Sequence, residues 1–187
     1  ETAGVVSVEA IDFKGNPLRA SRRLATEYKK AIDWSVVESA LPADATTPIA
    51  IEALEATLSQ LLEADTYTSH TAYDALNRPI ELSSPHTPTM LASIIRPAYN
   101  EANLLERVEA NLQGAAVATA FVTNIDYDAR GQRQRIDYGI RDDNGNRVRT
   151  LYDYDPETFR LIQMRTLRGT EALQDLQYTY DPVGNIT

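Results

Sequence analysis

One short pattern punctuates this chain and limits what it can become: Asp or Asn, two variable residues, then Gly or Asn, often with Tyr in front. It occurs as Ile11-Asp12-Phe13-Lys14-Gly15-Asn16, Tyr73-Asp74-Ala75-Leu76-Asn77, Tyr99-Asn100-Glu101-Ala102-Asn103, Tyr127-Asp128-Ala129-Arg130-Gly131 and Tyr180-Asp181-Pro182-Val183-Gly184-Asn185. Arg141-Asp142-Asp143-Asn144-Gly145-Asn146 lacks the Tyr, and Tyr154-Asp155-Pro156-Glu157-Thr158 departs at its fifth position. The chemistry is that of a turn. Asp or Asn at the first corner accepts hydrogen bonds from backbone N–H groups two residues on, which favours a type I turn. Pro156 and Pro182 bring a fixed φ suited to the next corner. The fourth corner needs a left-handed backbone, which Gly adopts freely and Asn tolerates. A type I turn closed by a left-handed residue is a hairpin connection with a bulge. Thr158 does not suit that corner, so a longer loop is expected there.

The spacing turns the motif into an architecture. Steps of 26 (Asp74 to Asn100), 28 (to Asp128), 14 (to Asp142), 13 (to Asp155) and 26 (to Asp181) lie near one or two multiples of 13 to 14. Such a period predicts a turn and two short strands per unit. Flanking residues alternate as strands do: Ile136, Tyr138 and Ile140 against Arg135, Asp137 and Arg141, and Leu176, Tyr178 and Tyr180 against Gln177, Thr179 and Asp181. Residues 103–113 fit either period, with Leu104, Leu105, Val108 and Leu112 helical, or Leu104, Glu106, Val108, Ala110 and Leu112 alternating; the preceding turn unit favours a strand. The fold class is therefore mainly β, a twisted antiparallel sheet of successive hairpins.

The step of 62 from Asp12 to Asp74 breaks the period and marks an insertion near residues 20–65. Within it, residues 48–63 carry Ile51, Leu54, Leu58 and Leu61 at helical spacing, with Thr47 as cap and Pro48 in the first turn. Residues 22–32 are a weaker helix candidate. Residues 31–77 hold eight acidic side chains and no Lys or Arg. That stretch reads as a solvated face, or as a surface for a basic partner.

Composition narrows the function. A formal net charge of −9 argues against a nucleic-acid partner, since phosphate binding rests on Lys and Arg. Of 18 basic residues only Lys14, Lys29 and Lys30 are lysines, so the cations are mostly Arg, suited to planar hydrogen bonding and to stacking on the ten Tyr. With no Cys, disulfides and thiolate metal sites are excluded. No apolar run reaches the roughly 20 residues of a membrane span. Opening at Glu1 and stopping at Thr187 inside a unit, the chain reads as one fragment, 1–187, of a longer protein.

If Gly145 were the sixth position of a calcium loop, the first and twelfth would be Ile140 and Leu151, which cannot bind calcium. His70 and His86 have no second ligand at zinc spacing. Asp74, Asp128, Asp155 and Asp181 could supply paired carboxylates, but each is already explained as a turn acceptor. Asn185-Ile186-Thr187 matches a glycosylation sequon while completing a turn unit. Trp34 reads as a packing anchor for the insertion. No catalytic, cofactor-binding or metal-binding residue and no cofactor is assigned.

The units Tyr127–Arg133 and Tyr180–Thr187, with the stretches Arg96–Leu105, Thr123–Asp128 and Tyr178–Asp181, resemble the YD repeats of the Rhs family, in the bacterial branch that includes toxin-complex components. The resemblance covers roughly the last two thirds of the chain and, more faintly, residues 12–18. It implies a large secreted or cell-surface protein whose β-sheet coils into a shell around a C-terminal toxic polypeptide or other cargo. Some members free that cargo with an aspartate-based self-cleavage site, and no segment here matches it. The expected partners are the rest of the parent chain and its cargo. The rival expectation is an adhesin-like module that binds carbohydrate or another cell-surface partner; an enzyme comes third. A piece of such a wall exposes unpaired edges, so an isolated fragment would self-associate or fold its helical insertion against the sheet.

Overall fold

The computed structural model describes residues 4–27, 29–44, 46–141 and 143–187, and among them the regular structure is mainly antiparallel β. It divides into two compact units, 1–92 and 93–187. The first contains β1 (Gly4–Ile11), β2 (Pro17–Leu24), α1 (Ser35–Glu38), α2 (Ile51–Leu61), β3 (Tyr67–Tyr73) and β4 (Pro79–Ser83). The second contains β5 (Ile94–Tyr99), β6 (Leu105–Asn111), β7 (Thr119–Tyr127), β8 (Arg133–Arg141), β9 (Arg147–Tyr154), β10 (Leu161–Arg168) and β11 (Glu171–Gln177), with a single 3-10 turn after β6. In each unit every strand pairs with its chain neighbour, so the sheet is a succession of hairpins.

Each tyrosine-flanked unit and its relative at Asp12 forms the turn its chemistry demands. Around Asp128, the Gly131 N–H donates to the Asp128 carbonyl at 3.0 Å, and Oδ1 accepts from the N–H groups of Arg130 and Gln132 at 2.9 Å each. The left-handed corner is filled by Gly15, Asn77, Asn103, Gly131 and Gly184, with φ of 90°, 63°, 65°, 81° and 101°. At Thr158 the loop is longer, as expected: closure moves to Phe159, whose N–H donates to the Asp155 carbonyl at 2.9 Å and whose φ is 58°. Asp142 lies outside the described residues.

The period needs correcting. A tyrosine-flanked turn connects β3 to β4 in the first unit; in the second unit such turns connect β5 to β6, β7 to β8 and β9 to β10, and these three lie at the same end of their strands. The full repeat of 26 to 28 residues is thus two strands and two turns. The 13- and 14-residue steps arise because residues 143–146 connect β8 and β9 at the opposite end.

A bulge follows every one of these turns. Pairing skips Leu18, Ile80, Glu106, Gln134 and Ile162, each one residue into the returning strand. A bulge bends its strand and strengthens local twist. Five at equivalent positions make the distortion part of the repeat.

The insertion occupies residues 25–66. The helix expected over 48–63 is present as α2, but its N-cap is Ala50 without a side-chain hydrogen bond, and Thr47 instead bonds Asp44. Residues 22–24 belong to β2, overturning a helix over 22–32: Arg22 and its neighbours pair with β1 and β3 in register. No residue of α2 is buried, so the helix does not cover the sheet. The strand reading of 103–113 holds over Leu105–Asn111 in β6, whereas Leu112 and Gln113 fall in the 3-10 turn that follows.

Apolar burial is slight. The described core comprises Ala25, Leu62, Ala110, Ile125 and Ile136, and no large side chain is fully enclosed. The 20.8 kDa chain exposes 12900 Å², whereas two separate compact bodies of half its mass would together expose about 10,800 Å².

Candidate functional site

The features that set this molecule apart are its row of turns and the two faces between them. In the second unit consecutive turns touch. Gln132 donates to the Phe159 carbonyl at 2.8 Å, and the Arg130 guanidinium lies 3.1 Å from the centre of the Phe159 ring. Arg160 then donates to the Asp181 carbonyl at 3.1 Å beside the Tyr180 ring. In the first unit Lys14 donates to the Ala75 carbonyl at 2.9 Å, and Asn16 to the Asn77 side chain at 3.2 Å. The tyrosines tie one hairpin to the previous one: the Tyr127 hydroxyl donates to the Leu105 carbonyl at 2.6 Å and that of Tyr180 to the Leu161 carbonyl at 2.7 Å. Tyr127 and Tyr180 thus fasten one repeat to the one before it.

The register gives the second unit two unlike faces. Directly paired residues share a face, so Ile125, Ile136, Thr150 and Thr166 form one line across β7 to β10, with Tyr152, Met164 and Leu176 beside it. The Thr150 and Thr166 hydroxyls bond at 3.0 Å. Burial pushes the Tyr152 and Tyr154 hydroxyls above the usual tyrosine range. The opposite face carries Asp126, Arg135, Leu151, Arg165 and Asp175 in one line, and Asn124, Asp137, Arg149 and Leu167 in the next. The alternation read from the sequence separates Ile136 from Arg135 correctly but fails beyond Gly139. A Cβ there would sit 1.7 Å from the Ala120 carbonyl oxygen, the strand pairing shifts, and Ile140 is 59% exposed.

The turn carboxylates act as acceptors. Hydrogen bonds from Asn16, from the Arg78 and Thr158 backbone and from Asn185 hold Asp12, Asp74, Asp155 and Asp181 below the ordinary aspartate value. In the insertion, Thr46 and Thr47 lower Asp44 to about 2. His70 is exposed, and the His86 ring Nδ1 lies 2.9 Å from the Ser84 carbonyl. Among the described residues no group of three or more His, Asp or Glu could hold a metal, and no helix is long and apolar enough to cross a membrane. Asn185 of the sequon donates to Asp181 at 2.9 Å. Trp34 is half-buried at the start of α1. Sequence reasoning missed the clustering of Arg135, Asp137, Arg147 and Arg149 around a small cleft beside Gly169; arginines at alternate positions 133/135 and 147/149 were its signal.

No family model matches the chain. It is 29% identical to the toxin subunit YenC2 of Yersinia entomophaga over all of this chain and 17% of that protein. It is 33% identical to the toxin subunit YenC1 of the same organism over 68% of this chain and 12% of that one. Among solved structures, it matches the Photorhabdus luminescens Tc holotoxin pore carrying the TccC3 D651A mutation with a TM-score of 0.69 at 29% identity. It matches the TcdB2-TccC3-Cdc42 crystal structure with a TM-score of 0.72 at 30% identity. All of this chain is covered in both cases, and 7% and 8% of the respective partners. The chain thus spans under a fifth of the curated relatives it matches.

Proposed function

We propose that this chain is a length of wall in an Rhs/YD-repeat shell, a non-catalytic sheet that encloses or displays a toxin or other polypeptide carried by a secreted parent protein. The observation that carries the reading is the combination of precise local closure with almost no burial. Hairpins are fixed by their own turns and, in the second unit, fastened to their neighbours through Tyr127 and Tyr180, yet the faces stay open to an extent unusual for a self-sufficient domain. Such a sheet gains its missing contacts from what lies against it. Among the described residues β1 and β11 each pair on one side only, and β11 is exposed along its whole length. Further hairpins of the same kind suit both edges. The similarity to toxin-complex subunits across the whole chain supports this reading, and engagement of the turn aspartates as acceptors supports a wall that performs no chemistry.

Limited proteolysis of the full-length parent, followed by mass spectrometry, tests the proposal. A segment beyond the repeats that stays hidden until the shell is denatured is the expected result. Immediate cleavage of that segment while the repeats survive would overturn enclosure and favour a surface-binding scaffold.

A further inference from the structure

The arginine-lined cleft of the second unit has donors without acceptors. Arg135, Asp137, Arg147, Arg149 and Gly169 surround a space of about 210 Å³. Asp137, whose side chain is only 9% exposed, is already satisfied: Arg135 reaches Oδ1 through Nε at 3.0 Å and Nη2 at 2.9 Å, and Oδ2 through Nη2 at 2.7 Å. Its charge is therefore spent on one guanidinium. Arg149 stands directly across the strand pair from Asp137, but its buried Nε has no hydrogen-bond partner. Neither Arg149 nor Arg147 forms an ion pair among the described residues. Three guanidiniums thus face one carboxylate in a chain whose formal net charge is −9. The Gly169 N–H donates to the Arg147 carbonyl at 3.1 Å, and the Asn146 side chain lies against this glycine, 3.0 Å from where a Cβ would stand.

We infer that this cleft is an oxyanion site, in which the unpaired forks of Arg147 and Arg149 take a carboxylate side chain from an acidic polypeptide segment. A guanidinium presents coplanar N–H donors that match the two oxygens of a carboxylate. Arg149, partly buried with an unmet Nε donor, gains more from an anion than an exposed cation does, while the exposed Arg147 adds a second fork at the rim. The cleft is wide enough for one oxyanion group and too small for an extended ligand, so the rest of the segment lies across the open face. A free phosphate shares this chemistry. The inference concerns this chain's own surface and does not depend on the shell reading.

The test is calorimetric titration of the full chain with hexaglutamate, hexaglutamine and inorganic phosphate. Hexaglutamate is expected to bind and hexaglutamine not to. Affinity should fall about tenfold or more in R147Q and in R149Q, while R107Q, the same charge change on β6, leaves it unaltered. R149K keeps stem and charge and guards against a folding defect; it should retain the wild-type circular dichroism and lose part of the affinity. Displacement of hexaglutamate by phosphate would support the site. Phosphate binding without hexaglutamate binding would overturn the polypeptide ligand, and undiminished binding in the R147Q/R149Q double variant would overturn the site itself.

Discussion

The two ends of the hairpins obey different rules. At one end the connections at Asp12, Asp74, Asn100 and Asp128 share one five-residue geometry, and Asp155 departs by a single residue. At the other end they run from two residues between β10 and β11 to the 42 residues of 25–66. The contrast has a physical source. An Asp or Asn that satisfies two backbone N–H groups, a left-handed corner and a bulge fix strand register locally. Once register is set at one end, the other end needs only to return the chain, and loop length costs little because closure entropy grows slowly. The variable end is where such a sheet can carry additions without losing its pairing.

The largest effect should come from a strand residue approaching the variable end. In G139A the new methyl group would meet the Ala120 carbonyl oxygen at 1.7 Å, and a paired backbone cannot move aside. A loss of about 3 kcal/mol or more is expected, read from the urea midpoint. A loss below about 1 kcal/mol would show that β7 and β8 can slide, and that register is not held from the turns alone. Next comes a matched pair of turn substitutions. D128A removes two backbone acceptor bonds and should cost about 1–2 kcal/mol. D143A, in the connection at the opposite end, should stay within about 0.5 kcal/mol. Equal losses would erase the distinction between the ends.

Acid provides a third comparison. Asp12, Asp74, Asp155 and Asp181 have folded values depressed by hydrogen bonds to the carboxylate. Their contribution is present above the unfolded aspartate value near 3.9 and is lost as pH falls through the lower folded values. The thermal midpoint should therefore fall on acidification from about pH 5 to about pH 3. Asn100 shows that an amide can hold the same turn, accepting from the Ala102 and Leu104 N–H groups at 3.0 Å each. Replacing the four aspartates by Asn should preserve the fold and flatten the acid response. An unchanged slope would place the acid-sensitive groups elsewhere, with Asp44 of the insertion the first to examine.

What the sequence made legible follows the range of the interactions involved. Turn chemistry acts over five residues, so the turns, the exception at Thr158 and the strand after Asn103 could all be read directly. The full repeat of 26 to 28 residues could not, because Asp142-Asp143-Asn144-Gly145 has a composition similar to a tyrosine-flanked unit, while residues 143–146 connect β8 to β9 at the other end of the strands. The bulges at Leu18, Ile80, Glu106, Gln134 and Ile162 depend on pairing, which no single strand displays. Arg149 is an ordinary strand arginine until register sets it opposite an Asp137 already held by Arg135. Gly139 was the readable clue that went unused, since glycine inside a strand pattern signals a bulge or a close backbone approach.

A small effect should come from the largest change. α2 buries no residue, Ile51 is 65% exposed, and Ala50 offers no cap, so the helix contributes little to the sheet. What holds the insertion is its root. Ala25 and Leu62 are bridged and buried, Thr26 N–H donates to the Leu61 carbonyl at 3.0 Å, and Glu63 N–H to the Leu24 carbonyl at 2.8 Å. Replacing residues 29–58 with a short Gly-Ser linker keeps that root and shortens the loop to be closed, which favours folding by about 1 kcal/mol. Loss of the few contacts around α1 and α2 opposes this, so urea stability should stay within about 1 kcal/mol of the parent while helical circular dichroism falls. A loss on the scale expected for G139A would mean that the insertion braces the sheet, and that the variable end is as structural as the turns opposite it.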